Sequence, residues 1–319
     1  MALFLREQDV ADLLTMREAL QAVEKAFREQ GQGRAPNQPR RRVRLPQGVL
    51  HVMAGAVPAL GGIGLKAYTT FRGGARFVVL LFDSQDGRLL AVIEANRLGQ
   101  LRTGAASGVA TRFMARLDAR VLGLLGAGRQ AETQVEAICA VRPIHRVQVY
   151  SRTPEHRARF ARTLSDRLGI AVVPVESARQ AVEGADVIVT ATTASQPVLL
   201  GEWLTPGVHV NAIGANAAIR RELDEQAVAR ADRIAVDDLE QAQLESGDLL
   251  YAVERGLIGW ERVCPLGAIV ANIVPGRLSR TEITLFESQG IALEDVAVAM
   301  RVYQLAREQG RGEEIAFLG

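Results

Sequence analysis

The segment Leu125-Gly126-Ala127-Gly128-Arg129-Gln130-Ala131 carries the spacing G-x-G-x-x-A. Glycines so placed can bring a backbone against a phosphate. Gly126 would permit a tight turn, Gly128 would leave room for a pyrophosphate, and Ala131 would let helix and strand pack closely. Alone, the spacing is a weak signal. Here a largely apolar run, Arg120 to Leu125, precedes it and a helical pattern, Gln130 to Val141, follows, which is the context dinucleotide binding requires. Ala127, Arg129 and Gln130 complete a turn whose free N–H groups would face the phosphates.

Residues about 20 positions on decide between the two nicotinamide dinucleotides. An acid there would bind the ribose 2′-hydroxyl of NAD(H). This chain has Tyr150-Ser151-Arg152-Thr153 instead. A guanidinium can clamp a 2′-phosphate with two hydrogen bonds, and Ser151 and Thr153 add hydroxyl donors. The expectation is NADP(H), with NAD(H) as the alternative. Thr190 and Thr192, in VTATTA at the end of an apolar run, would line the cofactor crevice. Ligands of parallel sheets bind outside the carboxyl ends of the strands.

A lone lysine is the next candidate. Lys25 and Lys66 are the lysines among 38 basic residues, and the rest are arginine. A bias toward arginine explains the count. The alternative reading is that a lysine surviving such a bias sits where arginine cannot serve, which Lys25 on the first helix does not need and Lys66 could fit. Its ammonium can shift its pKa and move a proton, which a guanidinium does not do.

The elements around these residues form two patterns. Thr15-Met16-Arg17-Glu18 reads as a capping box, followed by Leu20, Val23, Ala26 and Phe27 at helical spacing. Strand-like runs follow at 43–45, 49–53, 65–71, 77–83 and 89–94, with Asp86-Gly87 as a hairpin turn. Leu101 to Leu117 reads as a connecting helix. From about residue 119 strands and helices alternate, with apolar strands at 120–125, 146–150, 171–175, 187–190 and 208–213. Thr153-Pro154 opens one helix, with proline at its first position. Such alternation predicts a parallel sheet covered on both faces. A last helix, about Leu293 to Glu308, would pack back on the first region.

Composition narrows the function classes. The chain has 319 residues, is 48% hydrophobic and carries a net charge of +2. That describes a globular protein of about two domains with no call for a nucleic-acid partner. Cys139 and Cys264 lie far apart, without metal-ligand or disulfide-framework spacing, so no metal is expected. The N-terminal segment lacks the apolar stretch of a signal peptide. No apolar run reaches membrane-spanning length. The cytoplasm is the expected location.

Five stretches together resemble the ornithine cyclodeaminase/mu-crystallin family: GLKAYTTF, QLRTGAASGVATRF, GLLGAGRQAETQ, GEWLTPGVHVNAIGANAAIRRELDE and TEITLFESQGIALEDVAVA. The resemblance spans nearly the whole chain. It implies an α/β fold: a Rossmann doubly wound parallel sheet plus a second α+β domain for substrate binding and dimerisation. The corresponding division is 1–118 with 289–319 for the substrate and dimer domain, and 119–288 for the dinucleotide domain. It further implies a homodimer acting on a small imino or amino acid, with no membrane partner.

By the same resemblance, Arg41, Lys66 and Arg102 would hold the substrate carboxylate, with the alignment among Arg40, Arg41 and Arg42 open. Lys66 would also supply or relay a proton. Arg102, read as beginning a helix, would gain from the helix dipole, and Thr103 could reach a cofactor phosphate. Ser288 and Gly290 would close over the nicotinamide. True cyclodeaminases carry an acid in the segment that is here Gly214-Ala215-Asn216-Ala217. An amide hydrogen-bonds but cannot act as a general base, so Asn216 is expected to orient substrate or cofactor. The segment is similar to the ketimine-reducing, mu-crystallin type. The expected reaction is therefore NAD(P)H-dependent reduction of an α-imino acid to an amino acid. Redox-neutral ornithine cyclodeamination, alanine or N-alkyl-amino-acid dehydrogenation, and cofactor binding without turnover are the alternatives. His209 reads as a core strand residue, and Glu222 and Asp224 as charges at a helix start.

Overall fold

The structure is a computed structural model and describes residues 1–316. The chain divides into two compact units, Met1–Ala105 with the chain from Ile291 onward, and Ala106–Gly290. The first opens with β1 (Ala2–Leu5), α1 (Glu7–Leu13) and α2 (Met16–Gly31). Then come β2 (Asn37–Leu45), β3 (Gly48–Val57), β4 (Gly62–Phe71), β5 (Gly74–Asp83) and β6 (Leu89–Glu94). Helix α3 (Asn96–Met114) runs through the division. The second unit continues with β7 (Val121–Leu125), α4 (Arg129–Val141), β8 (Arg146–Tyr150), α5 (Pro154–Leu168), β9 (Ala171–Pro174), α6 (Ala178–Val182), β10 (Val187–Thr190) and β11 (His209–Ala212). It closes with α7 (Glu225–Ala229), β12 (Arg233–Val236), α8 (Leu239–Glu245), α9 (Gly247–Glu254), β13 (Val263–Pro265), α10 (Leu266–Val270) and β14 (Thr284–Glu287). The chain returns to the first unit with α11 (Ala292–Gln309) and β15 (Glu313–Ile315).

The first unit is a seven-stranded sheet in the order β15-β1-β6-β5-β4-β3-β2. Its meander from β2 to β6 is antiparallel. Thr15 and Glu18 form the expected capping box at the start of α2. Gly87, at φ +75°, makes the turn into β6. Helix α11 lies over β3 and β4. Gly62 admits it, because a Cβ there would strike Met300, while a Cβ on Gly64 would strike the Leu80 carbonyl of β5.

The second unit holds an eight-stranded sheet, β13-β12-β14-β11-β10-β7-β8-β9, in which every pairing is parallel. From β9 to β14 the order is that of the doubly wound dinucleotide fold, and it reverses between β7 and β10. Alternate residues feed two cores. Leu122, Leu124, Val187 and Val189 bury on one face, and Ile188, Val210 and Ala212 on the other.

Two expectations shift. Helix α3 starts at Asn96, five residues before the expected Leu101. Its start is fixed by the Glu7 carboxylate, which accepts from the Asn96 and Arg97 N–H groups. Arg102 therefore stands in the second turn, and the dipole argument for it falls away. The division also falls at Ala105 rather than residue 118. The later turns of α3 pack within the nucleotide-type unit. There the Thr111 hydroxyl accepts from Asn211 of β11 at 3.0 Å, and its carbonyl accepts from Arg142 at 2.9 Å.

Candidate active site

At the carboxyl ends of β7, β8 and β10 the second unit opens a cavity of about 690 Å³. Gly126, Ala127 and Gly128 form one wall, Ser151, Arg152 and Thr153 another, and Thr192 a third. Gly126 has φ +112°, and a Cβ there would strike the Ala191 carbonyl, so the turn requires glycine. Gly128 is the N-cap of α4, and a Cβ there would meet open space. Arg129 and Gln130 begin α4, with Arg129 exposed. These are the features a pyrophosphate needs: an unobstructed backbone and the free N–H groups of a helix start. The Ser151 hydroxyl is buried without a hydrogen-bond partner. Arg152 is exposed at the rim. A nicotinamide dinucleotide fits this set: the glycine turn could hold its phosphates, and Ser151 and Arg152 could hold its adenosine ribose. His156 also lines the cavity, without a sequence signal to mark it.

Thr190 does not line this cavity. Its hydroxyl is fully buried and donates to Glu222 at 2.7 Å. The reading of Glu222 as a helix-start charge is also corrected. Asp224 caps α7 by accepting from Ala227 N, whereas Glu222 is wholly buried and accepts from Thr190, Thr192 and Gly214. Burial pushes its carboxyl up, against those hydrogen bonds. Ser288 and the Gly290 N–H both donate to Asp237, at 3.0 and 2.6 Å. Asn216 is half-buried in the loop after β11. His209 is buried on β11, paired through Nδ1 with Thr284 at 2.9 Å, and burial holds its imidazole down at about 3.

The first unit gathers a second set. Lys66 on β4 is buried, and its Nζ donates to Asp295 Oδ1 at 2.7 Å. Arg102 donates from Nη1 to Glu294 Oε2 at 2.6 Å, and its Nε lies 3.3 Å from Asp295. Both acids belong to the first turn of α11, where the helix dipole favours them. Gly99 leaves the space Lys66 uses, since a Cβ there would stand 3.1 Å from Nζ. Burial pushes the Lys66 ammonium down to about 8. The Asp295 charge opposes that shift, and Arg102 and Arg40 add to it.

The three arginines left open on β2 differ in burial. Arg41 is exposed, whereas Arg40 is buried with its Nε against the Met53 sulfur. The register of β2 slips between Gln38 and Arg41, so burial along it does not follow simple alternation. Thr103 is buried on α3 and donates to the Gly99 carbonyl at 2.7 Å. Sequence reasoning missed Glu294 and Asp295. Their signal was two adjacent acids inside the otherwise apolar helix ALEDVAVAM.

The second unit is thus a dinucleotide fold of the doubly wound class, with its cavity at the strand-order reversal. The model of the ornithine cyclodeaminase/mu-crystallin family matches residues 1–310, and the chain belongs to that family. It is 37% identical over 324 residues to an alanine dehydrogenase of Archaeoglobus fulgidus, covering 99% of this chain and 98% of that one. Among solved structures it is similar to Δ1-pyrroline-2-carboxylate reductase of Thermococcus litoralis in complex with NADH and L-proline. The TM-score is 0.94 and the identity 36%, over 98% of this chain and 100% of that one. An archaeal alanine dehydrogenase dimer with bound NAD matches at TM-score 0.94 and 36% identity, over 99% of each chain.

Proposed function

We propose that this protein reduces an α-imino acid to the amino acid with a nicotinamide dinucleotide, with NADP(H) preferred. The observation that carries the reading is the buried set in the first unit. Arg40, Lys66 and Arg102 gather here as buried cations beside Glu294 and Asp295, a set of donors that suits one substrate carboxylate. The guanidinium forks suit that carboxylate. Lys66, with its ammonium pushed down to about 8, is matched to proton transfer near neutrality. The bound dinucleotide supplies the hydride. Lys66 gives a proton at the substrate nitrogen, and Arg40 and Arg102 fix the carboxylate so that the imine carbon keeps one orientation. Gly126 to Gly128 hold the dinucleotide phosphates, and Ser151, Arg152 and Thr153 its adenosine end. Asn216 takes a hydrogen-bonding role, since an amide cannot serve the acid–base step of a cyclodeaminase.

Alanine dehydrogenase chemistry is the second reading, favoured by the likeness to that enzyme. It shares the same reduced carbon–nitrogen bond, formed there from a 2-oxo acid and ammonia. We assign the protein to the cytoplasm as a homodimer. Both cysteines are free, and among the described residues no helix is long and apolar enough to cross a membrane. Exposed Val43 and Leu45 on edge strand β2 suit a second copy.

The test follows NADPH absorbance with a panel of cyclic imines, and with pyruvate plus ammonia or methylamine. Oxidation with at least one imine is expected. No oxidation with any of them would return the protein to a binding role. Ammonia release from ornithine without net cofactor change would establish cyclodeamination instead.

A further inference from the structure

We propose that Glu222 is a positioning residue for the cofactor, whose carboxylate clasps the loops after β10 and β11 into one wall of the crevice. The inference rests on the reading of this chain as a nicotinamide dinucleotide enzyme. The doubly wound fold is built of two mononucleotide-binding halves. The glycine turn and Ser151-Arg152-Thr153 belong to the half made of β7, β8 and β9, which takes the adenosine side. The other half, with β10 and β11, is left for the nicotinamide side.

Glu222 ties that second half together. Its Oε1 accepts from the Thr192 N–H and hydroxyl, both at 2.6 Å. Its Oε2 accepts from the Thr190 hydroxyl and the Gly214 N–H, both at 2.7 Å. Thr192 lines the cavity, and Gly214 opens the loop that carries Asn216. Gly214 must be glycine for this, because a Cβ there would stand 2.6 Å from the Glu222 carboxyl carbon. The Thr192 hydroxyl in turn accepts from Ala194 N at 3.1 Å, which extends the order along the cavity wall.

The donor set favours an anion. Each Glu222 oxygen faces one backbone N–H, which cannot rotate away. A glutamine would turn its NH2 toward one of those N–H groups whichever way it flipped, and protonation would remove the charge that strengthens all four bonds. The groups facing Glu222 sharpen this. Asp248 on α9 accepts from the Glu222 and Leu223 N–H groups, and Arg221 lies 4.0 Å from Asp248. Glu287, at the end of β14, accepts from Ser246 and lies near enough for its charge to couple with Asp248 and Glu222, with Asp237 beyond it. Burial and mutual repulsion push the Asp248 and Glu287 carboxyls up. Burial pushes the Glu222 carboxyl up as well, but its four donors oppose that shift and favour its charged form.

Calorimetry on wild type and Glu222→Gln tests the clasp with two ligands, NADP⁺ and 2′-phospho-ADP-ribose, which lacks the nicotinamide. In a variant that keeps its melting transition, NADP⁺ is expected to bind about tenfold or more weakly, the scale of one lost charged hydrogen bond, while the fragment binds unchanged. NADP⁺ affinity within about twofold of wild type overturns the proposal. So does an equal loss for both ligands, which would mean general loosening. If the variant does not fold, wild type carries the test. The ratio of NADP⁺ to fragment affinity should fall as pH drops and Glu222 is protonated. A ratio flat to the acid limit of the fold overturns the clasp. Failure of wild type to bind either NADP⁺ or NAD⁺ would sink the dinucleotide reading itself, which separates the two.

Discussion

The Lys66 ammonium lies 2.7 Å from Asp295 Oδ1, and both side chains are buried. The second Asp295 oxygen is buried with no hydrogen-bond partner. Asp295 therefore holds Lys66 with one oxygen and keeps the other open toward a donor. Its charge also opposes the burial that lowers the ammonium.

A pH profile should show this pair. The proton-giving form of Lys66 exists below about 8 and is lost above it. Imine reduction should therefore fall as pH rises through that value, and amino-acid oxidation should rise there. Asp295→Asn removes the opposing charge and should move the limb to lower pH. Lys66→Met should abolish the limb and cost about 10²–10⁴ in turnover, the range for general acid–base catalysis. A limb that persists unchanged in Lys66→Met means another group gives the proton.

Arg40 and Arg41 are adjacent, yet one is buried beside Met53 and the other exposed. Arg40→Ala should raise KM for the imine by roughly thirtyfold or more, because truncating a buried charge pair costs about 2–5 kcal/mol. Arg41→Ala should change it by less than about threefold, as exposed charges contribute little. Equal effects would place the carboxylate elsewhere.

These two arginines show where the sequence stops being legible. The glycine turn, the β-α alternation and the capping box at Thr15 are local patterns, and each was readable from residues next to one another. The start of α3 was not, because its cap is Glu7 from α1. Which of Arg40, Arg41 and Arg42 is buried was not legible either, because the register of β2 slips just before them. Glu222 was misread because charge in a polar segment usually marks surface, and only the fold reveals its four donors. Short strands β1, β12, β13, β14 and β15 carry too few residues for a period to show.

Arg152 and Ser151 should set cofactor choice. Both line the cavity, and the Ser151 hydroxyl is buried without a partner. Arg152→Ala should lower the NADPH-to-NADH affinity ratio by about tenfold or more, the scale of a lost charged hydrogen bond. NADH affinity itself should hold. An unchanged ratio would assign the 2′-position to other groups.

Arg142 offers a test of stability separate from chemistry. It follows α4, and its guanidinium donates to the carbonyls of Thr111, Arg112, Ala115, Arg116 and Val141, all at 2.8–2.9 Å. The last turn of α3 and the end of α4 thus share one cation, which also suits the negative end of each helix dipole. Arg142→Met keeps the length and removes every donor. Several buried carbonyls would then lose their partners, at about 1–3 kcal/mol for each one left unsatisfied. We expect Tm to fall by roughly 5–10 °C, given a few degrees per kcal/mol in a chain of this size. Arg102 lies more than two turns up the same helix, bonded to Glu294 rather than to this cap. KM and kcat at a permissive temperature should therefore stay within about twofold of wild type. A loss of activity as large as that from Arg40→Ala would show that the α3 end-cap, and not only the cation set, holds the carboxylate-binding geometry.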